Sequence, residues 1–314
     1  MSIANARDLL RSELDLAAPV IQQNEIVPGS VHFCESQHLL RLTYSAPKSN
    51  VTGCLPGIYH YWSSVLKLGL FICVAILEST SLAHAADLNG LILEQVAEMP
   101  KGGGYSTSHF AKIRLQQAAH FESGKFFILP SPNSPSFCSG ATYLVFIKTI
   151  EALRARGDLE LDFATLEQLI IRDQHDGEGV WGRWNANGPG TARLFHELGL
   201  GRNFSSFEKA LPGDFIKIFW SKEVGRNEHG HSAVYLGKEM RDGVEYVRYW
   251  SSNVGAGYSE KEVPRATIAA AIFSRLQTPQ NLSRVNRAPA IDSYLASLLQ
   301  KRSSLSEAQR KCGI

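Results

Sequence analysis

The chain predicts an α+β fold, and three observations carry that prediction. Between residues 106 and 199 the apolar side chains recur mainly at three- and four-residue steps, the period of helices. From 213 to 252 they give way to short runs rich in Val, Ile, Tyr, Phe and Trp separated by turn residues, the mark of strands. Helices followed by strands suggest one domain built on an antiparallel sheet. The third observation is "SPSFCSGATYLVF", 134–146, which sets a thiol between a Pro/Ser-rich loop and an apolar helical run.

Taken in order, "STSHFAKIRLQQAAHFESG" (106–124) reads as a helix that Ser106 or Thr107 can cap and Gly124 can stop. "KFFILPSPNSPSF" begins as a strand-like run, and Pro130, Pro132 and Pro135 then deny helix until about Ser136. From Ser139 to Arg156 the spacing of Tyr143, Phe146, Ile147, Ile150 and Leu153 is helical, with Gly157 at the end. A further amphipathic helix is expected over 161–173, then a Gly-, Trp- and Asn-rich binding loop over 174–190, then a short helix in "TARLFHELG". Strands are expected at 213–220, 231–237 and 244–252, the last two joined as a hairpin by "MRDGVE". "RATIAAAIFSRL" reads as helix, and the tail from Pro279 holds one amphipathic piece, "AIDSYLASLLQKR".

Composition narrows the function classes. With 44% hydrophobic and 20% charged residues the 314-residue chain is ordinary globular material. A net charge of +2, without a Lys/Arg cluster, gives no nucleic-acid footprint. The five cysteines form no CxxC pair, so no zinc-ribbon or redox motif is present.

One segment has the make-up of an export signal. Lys67, the apolar run Leu68–Leu77 and the small-residue triplet Ala83-His84-Ala85 follow one another as a secretory signal requires. The run is about half the roughly 20 residues needed to span a bilayer, so no stable membrane anchor is expected. The expectation is therefore a signal over 65–85, with translation starting near Val65 or Leu66 and cleavage after Ala85. Residues 1–64 would be an artefactual or disordered extension, 86–278 the catalytic domain and 279–314 a helical tail. Of the cysteines, Cys138 and Cys312 would remain in the exported chain and could pair.

Cys138 stands at a helix start, where unpaired backbone N–H groups and the helix dipole favour a thiolate. A nucleophilic thiol needs a base and the base an orienting group. In chain order the candidates are Cys138, His231 at a strand start, and a polar group on the following strand. Backbone N–H groups of Cys138 and Ser139 could hold an oxyanion. Trp181, Trp184, Trp220 and Trp250 could line a substrate groove or sit in the core, and the loops 174–190 and 221–230 could border the cleft. His109, His120 and His196 fall in helical patterns and read as structural. A metal site on Glu228, His229 and His231 would need further ligands, and none has a recognisable spacing.

Three blocks, "FCSGATYLVF", "LPGDFIKIFW" and "GHSAVYLG", resemble NlpC-type cell-wall cysteine peptidases, a papain-like superfamily that includes the CHAP amidases. The match runs over about 136–253. The family's D-C-S-G block falls on Cys138, Ser139 and Gly140, its G-D strand on Gly213 and Asp214, and its H-x-x-x-Y-L-G strand on His231, Tyr235, Leu236 and Gly237. Phe137 replaces the usual Asp, and the third catalytic position falls in "YWSSN", where Asn253 is the first choice and Ser251 the second. The resemblance implies a papain-like fold whose nucleophile helix packs on an antiparallel sheet. It also implies hydrolysis of an amide in peptidoglycan peptides through an acyl-enzyme, with no cofactor. The alternative is a papain-like module that grips wall peptides without turnover.

Overall fold

A computed structural model describes residues 88–314. The extension expected over 1–64 and the signal expected over 65–85 lie outside the described residues.

The framework is a seven-stranded, wholly antiparallel sheet with helices against it, an α+β arrangement. Its strands are β1 (Gly102–Gly103), β4 (Gly201–Phe204), β5 (Phe215–Phe219), β7 (Gly230–Arg241), β8 (Val244–Asn253), β9 (Gly257–Pro264) and β10 (Ala270–Leu276). They lie in the order β1-β9-β8-β7-β5-β10-β4. A second pair, β2 (Ala119–Glu122) and β3 (Lys125–Ile128), forms a small hairpin, and β6 (Val224–Gly225) pairs with β11 (Arg302–Ser303). The helices are α1 over 88–97, α2 (His109–Ala118), α3 (Cys138–Arg156), α4 (Phe163–Gln168), α5 (Gly179–Asn185), α6 (Gly190–Leu198), α7 (Ser293–Ser297) and α8 (Leu305–Lys311).

The long helix α3 explains itself. Gly157, in the left-handed region at φ 77°, ends it, and its residues 139–147 are buried on every side. Phe146 meets Trp184, Phe195 and Phe215 at ring separations of 4.8–6.4 Å, so α3, α5, α6 and the sheet share one aromatic core. Val234 and Trp250 of the sheet join that core. On the sheet's other face Ile216, Ile218, Tyr235, Val247, Tyr249 and Phe273 form a second cluster.

Four local expectations are corrected. The helix expected to run to Gly124 ends at Ala118, because Ser123 and Gly124, at φ 50° and 80°, turn the chain into the β2–β3 hairpin; Ser108 is its cap. The helix expected over 161–173 is only Phe163–Gln168, capped by Asp162. The loop expected over 174–190 contains α5. "AAIFSRL" is the strand β10, not a helix: it pairs with β5 along one edge and β4 along the other, and Ala271 to Leu276 are buried on both faces, so the alternation that identifies strands is lost. The hairpin at 240–245 turns through Asp242 and Gly243.

Asp214 fixes the start of β5. Its carboxylate, wholly buried, takes Arg275 Nε and Nη2 at 2.7 Å each, Asn89 Nδ2 at 3.0 Å and the Leu211 N–H at 2.8 Å. The tail does not hang free: Asp292 pairs with Arg193 at 2.7 Å, and Ala308 and Cys312 bury against Phe219, Val224 and Ile272. Cys312 and Cys138 are both free thiols.

Removing one member of a buried ion pair strands the other, at a cost of about 3–5 kcal/mol. Asp214→Ala is therefore expected to lower unfolding stability by about that amount. The double replacement Asp214→Leu with Arg275→Met leaves no buried charge unpaired and should cost less. Urea denaturation of the three proteins measures both.

Candidate active site

Pro135 and the extended backbone of Phe137 (φ −139°, ψ 161°) hold the chain out of helix until Cys138, which becomes the first residue of α3. Gly140 lets α3 pack closely on α2: a Cβ there would lie 2.9 Å from Leu115 Cδ2, which would have to shift. Phe137 gives α3 no side-chain cap, so the first N–H groups of the helix keep their free valence beside the sulfur. Cys138 itself is half-buried and opens into a cleft of about 600 Å³.

His231 is the second residue of β7, opposite Ile218 of β5, with the rings of Tyr249 and Trp220 at 5.5 and 6.4 Å. Its imidazole is close enough to Cys138 to act on the ionisation of the thiol. Its Nε2 meets Asn253 Oδ1 at 3.2 Å. The orientation of that amide is fixed by its own partners. Asn253 Nδ2 donates to the Ser259 carbonyl at 2.8 Å and to Ser259 Oγ at 3.1 Å, while Ser259 Oγ spends its proton on the Gly257 carbonyl. Asn253 Oδ1 can then only accept, so His231 Nε2 carries the hydrogen and Nδ1 is left to face the thiol.

The thiol is ionised near neutrality. Burial alone would raise its pKa, but the His231 hydrogen bond and charge, the Ser232 N–H and the Lys217 ammonium outweigh it and bring the value down to about 6. Tyr105 lines the cleft beside Cys138; burial, then the neighbouring thiolate charge, push its phenol above the usual range, so it keeps its proton.

No family model, curated protein or solved structure matches this chain. The geometry must therefore speak for itself. It brings Cys138, His231 and Asn253 together and puts Trp181 in the cleft wall, with Trp220 beside the imidazole. Ser251 does not reach the histidine: its hydroxyl donates to the Ser232 carbonyl at 2.6 Å. Trp184 is core, donating to Thr142 Oγ1, and Trp250 stacks on Tyr258 outside the cleft; neither is a groove residue. Glu228 faces Lys217 at 2.8 Å and the N–H groups of Gly188 and Gly225, which spends it as a metal ligand.

Tyr105 and Lys217 are site residues that sequence reasoning missed. Lys217 had a signal, a lone cation inside the buried strand "FIKIF". Tyr105 had only the glycines before it, Gly102–Gly104, all at positive φ, which strap it against the loop preceding Cys138.

Alkylation by iodoacetamide follows the thiolate fraction, so its rate is expected to plateau above a midpoint near pH 6 and to fall as pH drops through it. In His231→Ala the midpoint should rise toward the ordinary value of about 8.5. A stopped-time pH series on the two proteins reads this directly.

Proposed function

We propose that this chain is a cysteine hydrolase that cleaves an amide bond through an acyl-enzyme, with exported peptidoglycan peptides as its substrate class. The observation that carries the reading is the sequence Cys138, His231, Asn253, with the thiol opening into the cleft and the other two buried behind it. The papain-like resemblance of the three sequence blocks and the signal-like segment at 65–85 support the substrate class and the compartment.

The chemistry follows from the atoms present. In the resting pair the sulfur is anionic and His231 holds the proton on Nδ1. The thiolate attacks the amide carbon, forming the C–S bond, and the carbonyl π electrons move to oxygen. That oxyanion is met by the uncapped N–H groups of Cys138 and Ser139 and by the neighbouring Tyr105 hydroxyl, which keeps its proton and can donate it to oxygen. His231 Nδ1–H protonates the leaving nitrogen and the C–N bond breaks, leaving a thioester. The neutral imidazole then takes a proton from water as that oxygen adds to the thioester carbon. Collapse of the second tetrahedral species releases the acid and returns the thiolate–imidazolium pair. Asn253 keeps Nδ1 on the sulfur side throughout.

Incubation of the full chain with purified muropeptides, followed by mass spectrometry, tests the reading. The expected result is amide cleavage that disappears in Cys138→Ala; an unchanged product profile overturns the wall assignment. Given a turnover assay, Asn253→Ala is expected to lower kcat about 10²-fold, the scale of a misplaced acid–base group. Tyr105→Phe should lower kcat about 10²-fold with KM little changed, as loss of one oxyanion donor does.

A further inference from the structure

A buried ion pair shares the cleft with the thiol and has no part in the acyl transfer itself. Lys217 Nζ and Glu228 Oε1 are 2.8 Å apart, with the two side chains 12% and 4% exposed. The other oxygen of Glu228 accepts the Gly188 N–H at 2.6 Å and the Gly225 N–H at 2.7 Å, and the Glu228 N–H returns to the Gly225 carbonyl at 2.9 Å. The carboxylate is thereby pinned to the α5–α6 turn and to β6, and it cannot follow a movement of the lysine. Gly230 leaves room for the pair: a Cβ there would lie 2.7 Å from Lys217 Nζ and 2.8 Å from Glu228 Oε1.

Lys217 lies opposite Ser232 in the β5–β7 register, and it acts on Cys138 by its charge and not by a hydrogen bond. The other ionisable groups around the sulfur and the pair are His231 of β7, Tyr249 of β8, Tyr105, and Asp176 with Lys112 near it. His229, next to Glu228 in the chain, is exposed. None of these hydrogen-bonds Glu228, whose one side-chain partner among the described residues is Lys217. An ammonium free to close on a thiolate would hold the sulfur in a contact ion pair. Such a pair stabilises the anion further but costs reactivity, because a thiolate's nucleophilicity falls with its basicity.

We propose that Glu228 is a positioning residue of the site: its pinned carboxylate holds the Lys217 ammonium near the sulfur but off it, so that the lysine lends its charge to the nucleophile without capping it. The inference rests on the reading of Cys138 as the nucleophile and adds two residues to the machinery that sets its reactivity. Each partner has its own duty. Lys217 supplies the positive charge, and Glu228, tied to two loops, fixes where that charge stands. Removing one or the other therefore moves the thiol in opposite directions, which a pair serving only to brace the fold would not do.

The test is a double-mutant cycle read on the full chain by the pH dependence of iodoacetamide alkylation, with mass spectrometry of the peptide that carries Cys138. Glu228→Gln keeps a carbonyl oxygen for Gly188 and Gly225 but turns an NH2 toward Lys217 and releases the ammonium. Its alkylation midpoint is expected to fall by about one pH unit. Its plateau rate should fall about threefold with it. Lys217→Met should raise the midpoint by about one unit. In the double variant, which removes both charges of the pair, the midpoint should match that of Lys217→Met, because Glu228 acts through the lysine. A midpoint that stays or rises in Glu228→Gln, or a shift by Glu228→Gln that persists beside Lys217→Met, overturns the proposal. Should a single variant fail to fold, the double decides: a midpoint above that of wild type supports the proposal, and one at or below it overturns it, since a carboxylate that merely cancelled the lysine would leave the thiol unchanged. Alkylation reads the sulfur whether or not an amide is cut, so the hydrolase reading is judged apart, by Cys138-dependent cleavage in the wild-type chain.

Discussion

The contact between Asn253 Oδ1 and His231 Nε2 decides how the rest of the site works. A neutral imidazole carries its hydrogen on either nitrogen, and only one choice leaves a base facing the sulfur. Here the choice is made two steps away. The Gly257 carbonyl holds the Ser259 proton, Ser259 holds the Asn253 amide, and the amide holds the ring. Each link is a hydrogen bond of modest net worth, but in a partly dry setting a reversed link would leave a donor facing a donor. That penalty, larger than any single bond, makes the arrangement one-directional.

The thiolate is a contest between opposing effects rather than a gift of one partner. Burial is the largest influence on Cys138 and acts against ionisation. It is overcome because several positive groups converge from different elements: the imidazole of β7, the Ser232 N–H next to it, Lys217 of β5 and the start of α3. Convergence of this kind needs a rigid frame. The Asp214–Arg275 pair ties β5 to β10, and the Phe146–Trp184–Phe215 cluster ties α3 to the same sheet. Cys312 shows the opposite outcome. It is buried near Arg193 but has no such set of donors, and its thiol is pushed up to about 12.

What the sequence made legible was the local and the ordered. Cys138 lies more than ninety residues before His231 and Asn253, yet each stands at the end of an element whose period is plain, and chain order supplies the pattern. Elements whose character is set by tertiary cover were misread. β10 is buried on both faces from Ala271 to Leu276, so no alternation survives in it. β4 and β9 went unseen because "GRNF" and "GYSEKEVP" carry too little apolar content to look like strands; they owe their pairing to neighbours at Phe273 and Trp250. Trp184 and Trp250 look like groove residues from composition alone, and packing claimed both. Tyr105, Lys217 and Asp176 reach the cleft from three separate segments, a conjunction that only the fold creates.

Phe137 shows how one substitution in a pattern can redistribute charge. An acid at this N-cap would accept the N–H groups of the second and third helical residues and place a negative charge beside the sulfur. The first effect would occupy donors wanted by an oxyanion; the second would raise the thiol pKa against the work of His231 and Lys217. Phe137 does neither. It is buried, with its ring 6.3 Å from Trp181, and leaves the end of α3 electropositive. A carboxylate is still present in the cleft, that of Asp176, but it stands on the segment between α4 and α5 and not at the helix cap, so α3 starts with no acid of its own beside the sulfur.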